Sequence, residues 1–335
     1  MTGHDIETMT TLVLTRKEVE AVATVALAVD AVEDAFAAFG RGDATMPPKI
    51  YLGMDDSQGD FRAMPARLGD AAGIKWVNVH PRNRTQNALP TVMGTYVLND
   101  PATGFPLAVM DGTFLTALRT GAAGAVASRF LAGAAPSTVA FIGAGVQARM
   151  LHDAHRIVFP DFSALIHDRD PKAAATLAAE TGGRVVDLEH AAGADIVCTA
   201  TPSTEPIVVS DWVRPGAHIN AMGADAPGKQ ELDVALLEIS AVYVDDLHQA
   251  TRSGEINVPV TQGAFRIEEL AGTLGAVVAG IDPAPKRGAT TVFDSTGLAI
   301  QDVALAHRIY QAAVRKGAGS SIDLLGLREP EFAKN

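Results

Sequence analysis

The sequence predicts an α/β fold in which a doubly wound parallel sheet is joined to a second, α+β domain. Three observations carry the prediction. From Thr138 onward, short apolar runs of strand type alternate with helical runs, the pattern of a parallel sheet with helices on both faces. Between Met46 and Pro106 the strand-like runs are split by Pro, Gly and Asn, which suits antiparallel strands and turns. At the junction a strand runs into Gly143-Ala-Gly145-Val-Gln-Ala148 and then a helix. A chain of 335 residues suits two domains. The turn Gly133-Ala-Ala-Pro136 marks the border, so that residues 1–132 plus 296–335 form one domain and 133–295 the other.

The elements follow in order. Thr11–Leu14 is an apolar strand, and Thr15 with Glu18 forms a capping box that starts a helix. A second helix runs from about Leu27 to Phe39 and stops at Gly40. Ile50–Met54, Asp60–Ala66, Ala72–Val79 and Thr91–Asn99 read as strands, and Phe114–Leu131 as a helix. The parallel strands are Thr138–Ile142, Ala164–His167, Asp195–Thr199, His218–Met222 and Ala241–Val244. An amphipathic helix over Thr296–Lys316 is expected to return to the first domain.

Bulk properties exclude several functions. Acidic residues number 39 and basic ones 27, for a net charge of −12 without a basic stripe, the opposite of a nucleic-acid binder. No run of 18 apolar residues is present, so no membrane span is expected. The start has no basic segment followed by an apolar core. One cysteine, Cys198, allows no disulfide within the chain. Together these predict a cytoplasmic protein. Cys198 lies in an apolar strand and is expected to be a core thiol. His152 and His155, with Asp153, lack a third ligand at a suitable spacing; they are expected on a solvated helix face, and no metal is expected.

The glycine turn carries the most chemistry. Gly143 permits the tight turn, Gly145 lets a pyrophosphate approach the backbone, and Ala148 lets the helix pack on the strand. The helix starting near Val146 offers its amide-rich end to phosphates. Asp168, 20 residues after Ala148, ends the next strand and suits ribose hydroxyls. Such an acid favours NAD over NADP, whereas Arg169 beside it can pair with a 2′-phosphate. A hydride-transfer substrate that carries a carboxylate needs cations, and Lys49, Arg62, Lys75 and Arg119 are the candidates. Lys75 in an apolar strand either snorkels outward or points into a cleft, and Arg119 is either a surface ion pair or a ligand. Asp225 in Met222-Gly223-Ala224-Asp225-Ala-Pro-Gly-Lys229 follows a strand end, where open α/β sheets bind ligands, or is a turn former. The loop Asp294-Ser295-Thr-Gly297 is either a similar ligand loop or a helix cap.

These segments together resemble the ornithine cyclodeaminase/mu-crystallin family. The resemblance rests on Gly73-Ile-Lys-Trp-Val-Asn-Val-His-Pro, Leu118-Arg-Thr-Gly-Ala-Ala, the glycine turn, Asn220-Ala-Met-Gly-Ala-Asp-Ala-Pro-Gly-Lys-Gln-Glu-Leu, Val244-Asp-Asp, Gly254-Glu-Ile and Phe293-Asp-Ser-Thr-Gly-Leu-Ala-Ile-Gln-Asp. Met46-Pro-Pro-Lys-Ile-Tyr, Phe61-Arg-Ala-Met-Pro-Ala and Thr103-Gly-Phe-Pro-Leu-Ala-Val-Met-Asp are most similar to the archaeal-type alanine dehydrogenase branch.

The resemblance implies a homodimeric NAD enzyme that interconverts L-alanine with pyruvate and ammonia. Its first domain would serve substrate binding and dimerisation. The alternatives within the family are reduction of small imino acids, ornithine cyclodeamination and non-enzymatic ligand binding with NAD(P). It implies that Lys75 is the catalytic lysine and Asp225 the acid/base, and that Lys49 and Arg119 hold the substrate carboxylate. Arg119, Thr120, Val146, Gln147, Asp168, Thr201, Lys229 and Ser295 would meet the cofactor. Gly143, Gly145, Arg169, Gly223, Ala224 and Asp225 are expected at that site as well. Arg62 stands where the cyclodeaminases carry a glutamate, and as a cation it would disfavour ornithine.

Overall fold

The computed structural model describes residues 9–327. Its elements follow the chain as β1 (Thr11–Leu14), α1 (Arg16–Val22), α2 (Val25–Gly40), β2 (Ala44–Thr45), β3 (Ile50–Met54), β4 (Gly59–Leu68), β5 (Ala71–Val79), α3 (Asn83–Gln86), β6 (Val92–Asn99), β7 (Pro106–Asp111) and α4 (Gly112–Leu131). Next come β8 (Thr138–Ile142), α5 (Val146–Val158), β9 (Ser163–His167), α6 (Pro171–Thr181), β10 (Arg184–Val185), α7 (Leu188–Ala192), β11 (Ile196–Thr199), β12 (His218–Ala221), α8 (Val234–Glu238) and β13 (Ala241–Val244). The chain ends with α9 (Leu247–Ser253), α10 (Asn257–Thr261), β14 (Gly272–Thr273), α11 (Leu274–Val278), β15 (Thr291–Asp294), α12 (Ala299–Lys316) and β16 (Ser320–Ile322).

The chain divides into two compact units. One gathers the chain up to Thr24, Ala44–Thr116 and the chain from Asp302; the other holds Val25–Asp43 and Ala117–Gln301. Helix α2 falls in the second unit because it packs on α5 and α11 there. Gly40 lies so close to α11 that a Cβ would stand 2.1 Å from the Gly275 carbonyl oxygen.

In the first unit a sheet runs β16-β1-β7-β6-β5-β4-β2, with β3 also paired to β4. Only β1 and β7 are parallel; the other pairs are antiparallel. Alternation puts Arg62, Met64, Lys75, Val77, Tyr96 and Leu98 on the buried face. Strand β7 was not expected, because Gly104-Phe-Pro106 reads as a turn. At the entry to α1, the Thr15 amide and hydroxyl both donate to the Glu18 carboxylate, at 2.7 Å each.

In the second unit the sheet is wholly parallel, in the order β10-β9-β8-β11-β12-β15-β13-β14. This is the expected doubly wound architecture, with β10, β14 and β15 missed in sequence; β10 and β14 are two residues each. β15 is only Thr-Val-Phe-Asp, too short to show a period, yet it is fully buried between β12 and β13.

Under this sheet lies a buried polar chain that corrects the reading of His155. His152 is 7% exposed and His155 fully buried; neither lies on a solvated face. The His155 Nδ1–H donates to the Leu151 carbonyl (2.7 Å), so Nε2 accepts from Ser128 Oγ (2.8 Å). Ser128 in turn accepts from Asn220 Nδ2 (2.8 Å), and Asn220 Oδ1 accepts from His218 Nε2 (3.1 Å). His218 Nδ1 is 2.8 Å from Thr291 Oγ1, which supplies the last hydrogen. Along the chain no two acceptors then face each other; the Thr291 hydroxyl, also 3.2 Å from the Leu131 carbonyl, turns its one hydrogen to His218. Cys198 sits in the same layer, as expected, and burial pushes its thiol up to about 12.

Burial holds both imidazoles neutral, lowering His155 to about 4 and His218 to about 3. The unfolded chain takes up protons on these rings near pH 6.5, before the folded chain does. Their contribution to stability is therefore complete above about pH 6.5 and is lost as the pH falls toward those lower values. Urea unfolding between pH 7 and 4 should show a slope that is shallower in His218→Gln. An unchanged slope would mean that His218 is already protonated in the folded chain.

Candidate active site

The glycine turn of the second unit is built for close approach. Gly143 has φ +95, and a Cβ there would stand 2.8 Å from the Ala200 carbonyl oxygen. A Cβ on Gly145 would meet nothing within 4 Å, so this is an open cradle at the start of α5. Val146, the first residue of α5, is 62% exposed beside it. Gln147 has a buried Oε1 with no partner among the described residues. Asp168 follows β9; its Oδ2 accepts from the Ala144 amide (2.7 Å) and its Oδ1 from the Asp170 amide (2.8 Å). A cavity of about 530 Å³ runs past Gly143, Gly145, Asp168, Arg169, Thr201 and Ser203. The open cradle, the helix end and the acid at the strand end fit a dinucleotide pyrophosphate and ribose.

Buried carboxylates hold the loops beyond the strand ends. Glu231 accepts from Thr199 Oγ1 (2.7 Å), from both the amide and the hydroxyl of Thr201 (2.7 Å each) and from the Gly223 amide (2.8 Å). It thereby ties the loop after β11 to the loop after β12. Glu255 accepts the amides of Glu231 and Leu232 (2.9 and 2.6 Å). Asp294 accepts the amides of Glu255 and Ile256 (2.8 and 3.1 Å). Burial raises all three carboxyls. Hydrogen bonds from Thr199, Thr201 and Gly223 offset part of the rise in Glu231. Glu255 lies well above the usual range, also because Glu231 and Asp294 are near. Asp294 reaches about 8.

The loop so held carries Asp225. Its carboxylate is paired with Lys229 Nζ at 2.5 Å, and Lys229 also reaches the Gly223 carbonyl at 3.4 Å. Asn257 clamps the far side of the loop, accepting from the Gly228 amide and donating to the Lys229 carbonyl (2.9 Å each). Ala224 is buried, and the Ser295 amide donates to the Ala221 carbonyl at the neighbouring strand end (3.1 Å). Asp225 is therefore an ion-paired residue on a braced loop, beyond a mere turn former.

Arg119 lies on α4 and is 7% exposed, with Thr120 buried beside it. The surface ion-pair reading of Arg119 is thus overturned. Its Nη1 donates to Gln301 Oε1 at 3.2 Å. The guanidinium rests against Gly297, where a Cβ would stand 2.7 Å from Nη1. Asp245 fixes that turn through the amides of Thr296 (2.7 Å) and Gly297 (2.8 Å).

In the first unit, Lys75 is fully buried on β5, and its Nζ is 2.8 Å from both oxygens of Asp302 on α12. Snorkelling is excluded. Opposite Lys75 in register stands Tyr96, whose buried hydroxyl has no partner among the described residues. Burial and the nearby Asp302 raise its pKa well above the usual value. Arg62 is also buried, but Asp60 neutralises it through bonds of 2.8 and 3.0 Å. Lys49, half-buried, stands just before β3.

Sequence reasoning passed over Asp302, Gln301, Glu231, Glu255, Asp245 and Asn257. The available signal was an acid among apolar residues, as in Ala299-Ile-Gln-Asp-Val-Ala-Leu, where a buried charge demands a partner.

A model of the ornithine cyclodeaminase/mu-crystallin family matches residues 9–317. Alanine dehydrogenase of Archaeoglobus fulgidus is 48% identical over 320 residues, 94% of this chain and 98% of that protein. A solved structure of an archaeal alanine dehydrogenase dimer with bound NAD is similar at a TM-score of 0.92 and 47% identity, covering 95% of this chain and all of that one. The Thermococcus litoralis Δ1-pyrroline-2-carboxylate reductase in complex with NADH and L-proline is similar at 0.88 and 34%, covering 93% of this chain and all of that one.

The Lys75–Asp302 geometry makes a thermodynamic prediction. Asp302→Leu leaves the buried ammonium without its carboxylate and should destabilise the fold by about 3–5 kcal/mol. Lys75→Met combined with Asp302→Leu should restore most of that loss in urea unfolding. A double variant as weak as the single one would show that the pair is not what the region depends on.

Proposed function

We propose, for a chain that belongs to the ornithine cyclodeaminase/mu-crystallin family, NAD-dependent oxidative deamination of L-alanine to pyruvate and ammonia, and the reverse reductive amination. The observation that carries this reading is the set of Lys75, Arg119 and Asp225, each held by its own partner, in a chain 48% identical to an alanine dehydrogenase over nearly its full length. Gly143, Gly145 and Asp168, with Thr201 and the Gly223 loop, would hold the dinucleotide. Asp168 supports NAD over NADP, and the similar archaeal dimer also binds NAD.

Bound NAD supplies the acceptor for the hydride leaving the substrate α-carbon. Lys49 and Arg119 take the substrate carboxylate, which fixes the orientation of that carbon. Asp225 accepts the proton of the substrate ammonium, so that the nitrogen lone pair is free when the hydride departs. Lys75, oriented by Asp302, passes protons as water adds to the imino acid and ammonia leaves. Overall, alanine, NAD and water give pyruvate, ammonium, NADH and a proton. With Asp60 neutralising it, Arg62 neither attracts nor strongly repels a charged side chain, which suits the methyl of alanine. We place this reaction in the cytoplasm, where a single buried cysteine stays reduced.

We also propose that a second copy of this chain docks on the sheet of the first unit. The face opposite Lys75 is apolar: Phe61 and Trp76 stack at 5.3 Å, and Trp76 is 43% exposed. On the strand β3, Ile50 and Leu52 are 65% and 51% exposed. So much exposed apolar surface marks an interface.

Purified protein should produce NADH from NAD and L-alanine and consume it with pyruvate plus ammonium. Lys75→Ala should lose turnover while NADH fluorescence titration stays unchanged. Oxidation of NADH by a preformed cyclic imino acid, without any response to alanine, would move the chain to the imine-reductase reading. Trp76→Glu should convert the dimer to monomer in light scattering, and an unaltered dimer would put the interface elsewhere.

A further inference from the structure

The turn that carries Arg119's contact holds a buried donor that nothing among the described residues satisfies. Gln301 is fully buried in the first turn of α12. Its Oε1 accepts from Arg119 Nη1 (3.2 Å) and from the Leu298 amide (3.4 Å). Two donors on one oxygen fix the amide, so the other end is the NH2 group. That Nε2 has no acceptor among the described residues. Buried amide nitrogens are nearly always hydrogen-bonded, so an orphan marks a place for an acceptor from outside, a water or a ligand.

The surroundings specify that acceptor. The Arg119 guanidinium is adjacent, held flat on Gly297. The amino-terminal end of α12, an 18-residue helix, adds its positive dipole end. A cation and a helix end favour an anion over a neutral carbonyl.

We infer that Gln301 is a substrate-binding residue whose Nε2 donates to the same carboxylate that Arg119 holds. The inference rests on the reading of Arg119 as the carboxylate ligand. Gln301 thus has two roles, aligning the guanidinium through its oxygen and adding a donor of its own through its nitrogen. A carboxylate has two oxygens and is met here by two neighbouring donors, one charged and one neutral. A ligand with an alcohol or an aldehyde in place of the carboxylate offers one neutral oxygen where two donors converge and leaves the guanidinium without a counter-charge, so the pair also selects for acids.

Gln301→Glu is the discriminating variant. It keeps the oxygen that Arg119 and Leu298 use, turns the donor into an acceptor and sets a carboxylate beside the guanidinium. The KM for pyruvate should rise about 10- to 100-fold, with NADH affinity by fluorescence within about twofold. Gln301→Met, which removes both ends of the amide, should raise the same KM and also lower kcat as the guanidinium loosens. A pyruvate KM unchanged in both variants would overturn the inference. So would a loss of NADH affinity in place of the KM effect, since it would put the acceptor on the cofactor. Arg119→Met separates the two readings. If it leaves the pyruvate KM unchanged, the carboxylate role of Arg119 fails. If it raises KM while the Gln301 variants do not, only the role of Gln301 fails.

Discussion

The burial of ionisable groups is the constraint under which both units are organised. A carboxylate or ammonium removed from water is tolerated only where hydrogen bonds and counter-charge surround it. In the second unit that demand is met by backbone amides. Glu231, Glu255, Asp294 and Asp245 each close on two or more donors of neighbouring loops. The loops at the strand ends cannot relax outward without stranding an acid. In the first unit the demand is met by ion pairs, Lys75 with Asp302 and Arg62 with Asp60. Chemistry that needs fixed distances is thus placed where departures from those distances are most strongly resisted.

The carboxylates also act in sequence. Asp294 fixes the backbone of Glu255, the side chain of Glu255 fixes the backbone of Glu231, and the side chain of Glu231 fixes Thr201 and Gly223. Position is passed from the centre of the parallel sheet, at the end of β15, to the residues proposed to line the cofactor. Asn257 completes the brace from the other side of the Asp225 loop. Loops with many polar atoms and few apolar ones acquire the rigidity of a core by this route.

Much of the fold was legible because its periods are strong. The parallel strands are apolar and separated by helices, and the glycine turn has a strand before it and an acid after β9. Strand β7 was not legible because it opens on the turn-like Gly104-Phe-Pro106, and β2, β10, β14, β15 and β16 were not because they are too short to show a period. For the site, Lys75, Arg119, Asp168 and Asp225 stood out by residue type and context. Their partners did not. Asp302 lies 227 residues from Lys75 and Gln301 lies 182 from Arg119, and no local pattern pairs side chains at such distances. His155 was misjudged because a histidine on an amphipathic helix carries no mark of its face until Ser128 and Asn220 are known to meet it.

The polar chain from Thr291 through His218, Asn220 and Ser128 to His155 has a direction, since every hydrogen points the same way along it. A directed chain cannot be edited one link at a time. Exchanging a single member for one with the opposite donor pattern sets two acceptors or two donors face to face at the next link, and the conflict passes along to a terminus. Substitutions here should be epistatic: each is tolerated only in the company of a second change that turns the remaining links around. Divergence at these positions would then proceed by coordinated replacement of the whole row, while the apolar residues around it drift independently.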